Sequence, residues 1–371
     1  MNKIVLGSFF LFSFLIADDY SFDFEELESI EVKTYEYSGY MQAEHKYQRL
    51  NKSSPNYPTK NKSSMDSFYG EAFLNYKYYQ DRFTFLGEFM ANYESIDHQE
   101  EDIYTLNQFI VNYKQNNNHQ INLGKKTSKW GKGYFFNPVA FIDRKKDPNN
   151  PEASKEGYTQ VHYNYNKVYQ SDLQNFSFDA VYLRTTTDLN EDFYNQNSNS
   201  VAFKSYFLYK DIDIDLAYLY NDKLPNKFGI DLSTNIKTNF EIHAEYAKSD
   251  NSLYSYLLGI KYLTEFDLTI ISEYFYQNEE LPKAQSFWDN RYFINKFTQK
   301  EPLDILYFSV YYKNLYNLDD NSHQNNLGVI YTKIKNLSID FSIGKNYGEN
   351  NSEFGSKLID KFTWLELKYS F

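Results

Sequence analysis

The chain closes on TWLELKYSF, residues 363–371. Thr363, Leu365, Leu367, Tyr369 and Phe371 alternate there with Trp364, Glu366, Lys368 and Ser370. A period of two belongs to a strand, whose successive side chains point to opposite faces. One face is mainly apolar and the other mixed polar, as in a strand with hydrocarbon on one side and water on the other. A helix would repeat at 3.6, and this stretch does not.

The same dyad recurs upstream. Tyr35, Tyr37, Met41, Ala43 and Tyr47 alternate with Glu36, Ser38, Gln42, Glu44 and Lys46. Phe83, Phe85, Phe89, Ala91 and Tyr93 alternate with Thr84, Glu88, Asn92 and Glu94. Ile212, Ile214, Leu216, Tyr218 and Tyr220 follow Asp211, Asp213 and Asp215 in the same way, which predicts lipid for Ile214 and Leu216 and lumen for Asp213 and Asp215. Phe240, Ile242, Ala244 and Tyr246 alternate with Glu241, His243 and Glu245. Short polar turns, as at 80–82, 210–211, 235–239, 264–265 and 333–336, alternate with longer polar loops at 51–65, 94–102, 185–199, 277–285 and 348–360.

Composition agrees. The 371 residues carry a net charge of -12, no cysteine and a mean hydropathy of -0.69, yet include 38 Tyr and 32 Phe. The absence of cysteine excludes a disulfide scaffold and a thiolate metal site. Half-lipid, half-lumen strands average to a hydrophilic chain, and aromatics supply the lipid face and its rims. The fold expected is all-β, a transmembrane antiparallel up-and-down β-barrel of about 18 strands, in the even-numbered range of single-chain barrels. Parity favours counting the weak strand at 286–297, because an odd count would put the chain ends on opposite sides; sixteen strands is the alternative. Residues 1–17 read as a signal peptide, a charged start followed by a short apolar run and a small residue. The acidic stretch 18–32 reads as a periplasmic lead-in and 33–371 as the barrel.

The terminal Phe371, with Tyr369 in the apolar row before it, resembles the C-terminal strand of Gram-negative outer-membrane barrels. That resemblance implies an outer-membrane location, contact with outer-membrane lipid and lipopolysaccharide, and reading of the terminus by the barrel-assembly machinery. A second likeness lies in the long stretch 124–157, between the fifth and sixth expected strands. It is the third external loop, and in general porins that loop folds into the barrel and narrows the channel. Its WGKGYFFNP run, Trp130 to Pro138, is similar to a WGKGxxxNP motif of uncharacterised porin-like barrels.

Loops of about 30 residues are usually functional or disordered. The apolar content of this one, Trp130, Tyr134, Phe135, Phe136, Phe141 and Ile142, argues for order. Gly131 and Gly133 permit close backbone approach. The spacing around Lys132 is not a phosphate-binding loop, which needs Gly-Lys-Ser/Thr before a helix. The stretch is net basic in an acidic chain. Lys126, Lys129, Trp130, Lys132, Asp143, Arg144, Lys145 and Lys146 are therefore the candidate constriction and selectivity residues, since a cationic ring favours anions. The bland alternative is an external loop that pairs with lipopolysaccharide phosphates.

The function expected is a porin-like channel for small solutes, anion-preferring through this loop. A barrel enzyme of phospholipase or protease type is one alternative, with His243 between Glu241 and Glu245 as its strongest cluster. His45 falls in the lipid register, His98 and His323 in loops, His119 in a turn, and His162 in the lumen. A plugged structural barrel, or one that transports hydrophobic solutes, is the other alternative. No cofactor, metal site or nucleic-acid partner is expected, and monomer and homotrimer both stay open.

Overall fold

The computed structural model describes residues 33–58, 62–97, 99–278 and 290–371. The expected signal peptide and acidic lead-in lie outside the described residues, as does His98. The first strands are long: β1 (Tyr35–Leu50), β2 (Ser64–Gln80), β3 (Phe83–Ile96) and β4 (Gln99–Lys114). There follow β5 (His119–Lys126), β6 (Tyr158–Val168), β7 (Leu173–Thr185), β8 (Ser198–Tyr209) and β9 (Ile212–Asn221). Next come β10 (Lys227–Lys237), β11 (Phe240–Ser249), β12 (Tyr254–Leu263), β13 (Leu268–Gln277) and β14 (Arg291–Lys300). The set ends with β15 (Phe308–Asn317), β16 (Ser322–Tyr331), β17 (Leu337–Tyr347) and β18 (Ile359–Ser370).

Each strand pairs antiparallel with its chain neighbours, and β1 pairs with both β2 and β18, so the 18-stranded sheet is closed. Closure leaves no unpaired edge, which a hydrocarbon environment would penalise. At the seam, the Gly39 amide donates to the Phe371 carbonyl at 2.9 Å and the Phe371 amide to the Gly39 carbonyl at 3.0 Å. A Cβ at Gly39 would meet the Phe371 ring at 2.8 Å.

Period-two alternation sorts side chains as expected. Leu216, Tyr218 and Tyr220 are exposed on the outer face of β9, while Asp215, Ala217 and Leu219 between them are buried. Aromatic pairs gather at both rims. Phe83–Tyr113 and Phe240–Tyr262 stand at the short-turn rim, with ring centroids 5.0 and 5.7 Å apart. Tyr254–Tyr276 stands at the loop rim, 5.7 Å apart. Such girdles sit at the two membrane–water interfaces.

Three expectations need correction. Residues 94–102 are not a loop: β3 and β4 stay paired through Glu94↔Glu101 and Ile96↔Gln99, and Asp97 turns the chain at φ 51. Their acidity suggested a loop, but strand pairing is a backbone interaction and tolerates charges that face water. His119 opens β5 rather than lying in a turn, with its ring 4.9 Å from Tyr165. His323 is in β16, stacked between Tyr316 at 5.3 Å and Tyr347 at 4.9 Å. Both histidines serve as rim aromatics.

Candidate functional site

A bulge in β4 pins the ends of the 127–157 segment. Glu88 pairs with Gln108 and Phe89 with Leu106, so Asn107 is an extra residue. As a result Asn107 and Gln108 are both buried while Leu106 and Phe109 are exposed. A bulge re-aims side chains in this way. The Gln108 side chain accepts from the Thr127 amide at 3.0 Å, and the Asn107 carbonyl accepts from the Gly157 amide at 2.9 Å. Asn107 Nδ2 also donates to Ser154 Oγ at 2.8 Å.

The middle of the segment lies on the inward rows of β11 to β13. Glu245 Oε1 accepts from the Lys132 and Gly133 amides, each at 2.6 Å, and Glu245 Oε2 from the Val139 amide at 3.1 Å. Glu273 accepts from the Tyr134 amide and, at 3.0 Å, from the Phe135 amide. His243 Nε2 stands 3.0 Å from Glu273 Oε1, and its Nδ1 3.4 Å from Glu241.

Apolar packing extends the contact on both sides. Trp130, Val139, Phe141 and Ile142 pack with Val181, Ala202, Ala217 and Leu219. Phe135 and Phe136 pack with Leu257, Phe275, Tyr292 and Ile294, and Phe136 stacks on Phe275 at 4.6 Å.

The expected site residues differ in their burial and partners. Trp130 is buried, with Lys204 Nζ 5.9 Å from its ring centre. Asp143 ties the segment to itself, accepting from the Ser128 and Trp130 amides at 2.6 and 3.0 Å. Lys132 pairs with Asp215 at 2.9 Å and lies 3.9 Å from Asp231. Burial works against its charge, but Asp215, then Asp231 and Asp213, outweigh burial and hold its pKa above the ordinary lysine value. Arg144 pairs with Glu156 at 2.9 Å and with Asp192. Lys146 donates to the Gly133 carbonyl and is pushed below the usual lysine range by burial. Lys126 Nζ lies 2.6 Å from His162 Nδ1, and His162 Nε2 is 2.6 Å from Asp179. Lys129 and Lys145 are exposed.

A second inward loop was not anticipated. In the β17–β18 connection, Phe354 is buried in the same apolar group as Phe135 and Phe136. Beside it Glu353 accepts from the Tyr292 hydroxyl at 2.6 Å and from Asn317 Nδ2 at 2.8 Å. Asn51 and Ser54 of the first loop hold its backbone, donating to the Gly355 and Ser356 carbonyls at 2.7 Å each. The single phenylalanine in a polar loop was the only sequence signal. Beside the start of the 127–157 segment, a cavity of about 500 Å³ lies against β2 to β5, lined by Lys77, Glu88, Gln108, Asn112, Lys126 and Lys129 among others.

No protein-family model matches the sequence, and no curated protein matches it. In fold the chain is similar to Pseudomonas aeruginosa OccK2 (OpdF), solved in complex with glucuronate, at TM-score 0.59 and 10% identity over 91% of this chain and 98% of that one. It is likewise similar to a BenF-like porin from Pseudomonas fluorescens Pf-5, at TM-score 0.58 and 9% identity over 91% and 99%. Escherichia coli Wzi, a carbohydrate-binding β-barrel of capsule assembly, matches at TM-score 0.57 and 10% identity over 90% and 84%. At these identities the likeness is one of fold. Closed sheet, apolar outer rows, aromatic rims and neighbours together define an outer-membrane β-barrel of porin architecture.

Proposed function

We propose that the chain is a porin-like channel for small hydrophilic solutes, narrowed by the 127–157 segment and mildly anion-preferring. The cavity against β2 to β5 carries this reading. Lys77, Lys126 and Lys129 line it against a single carboxylate, Glu88. Its size, about 500 Å³, falls within the range of small-ligand sites. In a narrow low-dielectric passage the nearest charges outweigh the net charge of the whole chain. Two inward carboxylates of β9 and β11 are engaged elsewhere: Asp215 with Lys132 and Lys204, Glu245 with backbone amides. Wild-type protein in planar bilayers should pass current, with a reversal potential in a salt gradient on the anion side. Glucuronate, the ligand of OccK2, is the first solute to test as a blocker of that current. A cation-side reversal potential would remove the anion preference.

The apolar group of Phe135, Phe136 and Phe354 favours a second reading, a plugged barrel or a path for hydrophobic solutes. Absence of current from heat-modifiable, assembled protein would select it. We read the barrel as a non-enzyme. The His243 side chain is fully buried, enclosed by Glu241, Glu273 and the Tyr134 ring, which leaves a substrate no access. Tyr369 and Phe371 are read as the assembly signal, and loss of Phe371 should lower the amount of barrel in the outer membrane; unchanged levels would remove that role.

A further inference from the structure

We infer that Glu245 and Glu273 are positioning residues that clamp the 127–157 segment to the β11–β13 wall and so set how far the lumen stays open. The inference rests on the channel reading only for its electrical consequence; the clamp itself stands on geometry. Both carboxylates sit on inward rows, 2% and 0% exposed. Buried carboxylates must be satisfied by hydrogen bonds. Here the donors from the segment are backbone amides of Lys132, Gly133, Tyr134, Phe135 and Val139, and on the wall itself His243 Nε2 lies 3.0 Å from Glu273.

The need is mutual. Residues 132–139 form neither helix nor strand, so their amides have no regular partners of their own. The wall supplies the acceptors that secondary structure would otherwise provide.

This explains the Gly-Lys-Gly spacing. Gly131 has φ 97, and a Cβ there would come within 2.8 Å of the Glu245 carboxylate. A Cβ at Gly133 would stand 2.2 Å from the Phe136 carbonyl oxygen and 2.9 Å from Leu257. Without side chains, the backbone reaches the carboxylate closely enough to bond it. Successive amides converging on an anion form the concave arrangement that elsewhere binds phosphate. In this chain the anion is the wall's own glutamate. The acidic row of β11 therefore holds the segment instead of facing the solute.

The test combines Glu245→Gln with Glu273→Gln in the full-length barrel, and adds a removable lock. The chain has no cysteine, so Val139→Cys with Gly229→Cys introduces a unique pair. A Cβ at Gly229 would lie 2.7 Å from Val139 Cγ1, close enough to bridge. Heat-modifiable migration selects assembled barrels, and trypsin then reports on the lysines of the segment.

Wild type should resist cleavage within 127–157. The double variant should be cut there about tenfold faster, as cleavage follows the population of the open form. Its single-channel current should rise and become noisy. Oxidising the cysteine pair in the double variant should restore protection and quiet current, and reductant should reverse both. Equal cleavage rates in wild type and double variant, or a lock without effect, would overturn the clamp. If the double variant does not assemble, the single variants are compared in the same way, and wild-type protection in both overturns it. A wild type that carries no current sinks the channel reading but leaves the trypsin arm intact.

Discussion

The walls formed by β12–β14 and by β1–β3 face one lumen, yet their inward rows differ. On β12–β14 the row carries Leu257, Phe275, Tyr292 and Ile294, all buried, with Glu273 among them. On β1–β3 it carries Gln42, Glu44, Lys46, Glu71, Asn75, Lys77 and Glu88, with Phe73 and Leu86 half-buried among them. A strand covered on both faces has no reason to alternate, as in sheets buried between two layers. Hence an inward row that turns apolar marks the wall on which a loop packs, and one that stays polar marks the wall left to water. Under the channel function proposed above, the comparison puts the solute path on the β1–β5 side.

Substitutions that remove packing should separate the walls most strongly. Phe275→Ala should cost roughly 3–5 kcal/mol, as for a large core aromatic. Asn75→Ala on the polar wall should stay within about 0.5 kcal/mol, as at an unpacked surface. Denaturant unfolding of the barrel in lipid vesicles measures both, and equal losses would erase the distinction.

The outer faces should show no such contrast, because lipid is the same on every side. Leu216→Arg on β9, whose inward Ala217 and Leu219 the segment also covers, and Leu74→Arg behind the open wall should each cost roughly 2–4 kcal/mol near the midplane. Both leucines are comparably exposed, at 38% and 40%. Unequal costs would mean that the taller strands β1–β4 carry Leu74 out of the hydrocarbon.

Selectivity should follow the open wall. Lys129→Gln should move the reversal potential toward cations. Lys132→Gln should move it less, because Asp215 already neutralises that ammonium. Equal shifts would place Lys132 in the solute path.

The smallest effect concerns pH. Burial, then the neighbouring Lys146 ammonium, lowers the Lys155 pKa to about 8. This lysine is charged below that pH and neutral above it, so anion preference should weaken as pH rises through about 8. Lys155→Arg keeps its charge and should flatten that part of the profile. A wild-type profile without the step would show that Lys155 does not act on the solute path.

The barrel itself was legible because it rests on local geometry. Alternation along residues 35–47, 212–220 and 363–371 assigns each side chain a face, whatever lies across the sheet. Parity brought in the weak fourteenth strand, which the structure begins at Arg291, within the expected 286–297. The glycines, aromatics and length of the 124–157 stretch marked it as an ordered, close-approaching loop. The roles of its charges were not legible. Lys132 and Arg144 read as pore cations, and Glu241 and Glu245 as pore anions, because a sequence shows a charge and not its partner. The partners come together only when the closed sheet brings β9, β11 and β13 beside the third loop. Low dielectric then makes pairing or backbone hydrogen bonding the condition for burying them. The β17–β18 loop went unread for the same reason: Phe354 is one apolar residue in a polar stretch until Phe136 lies beside it.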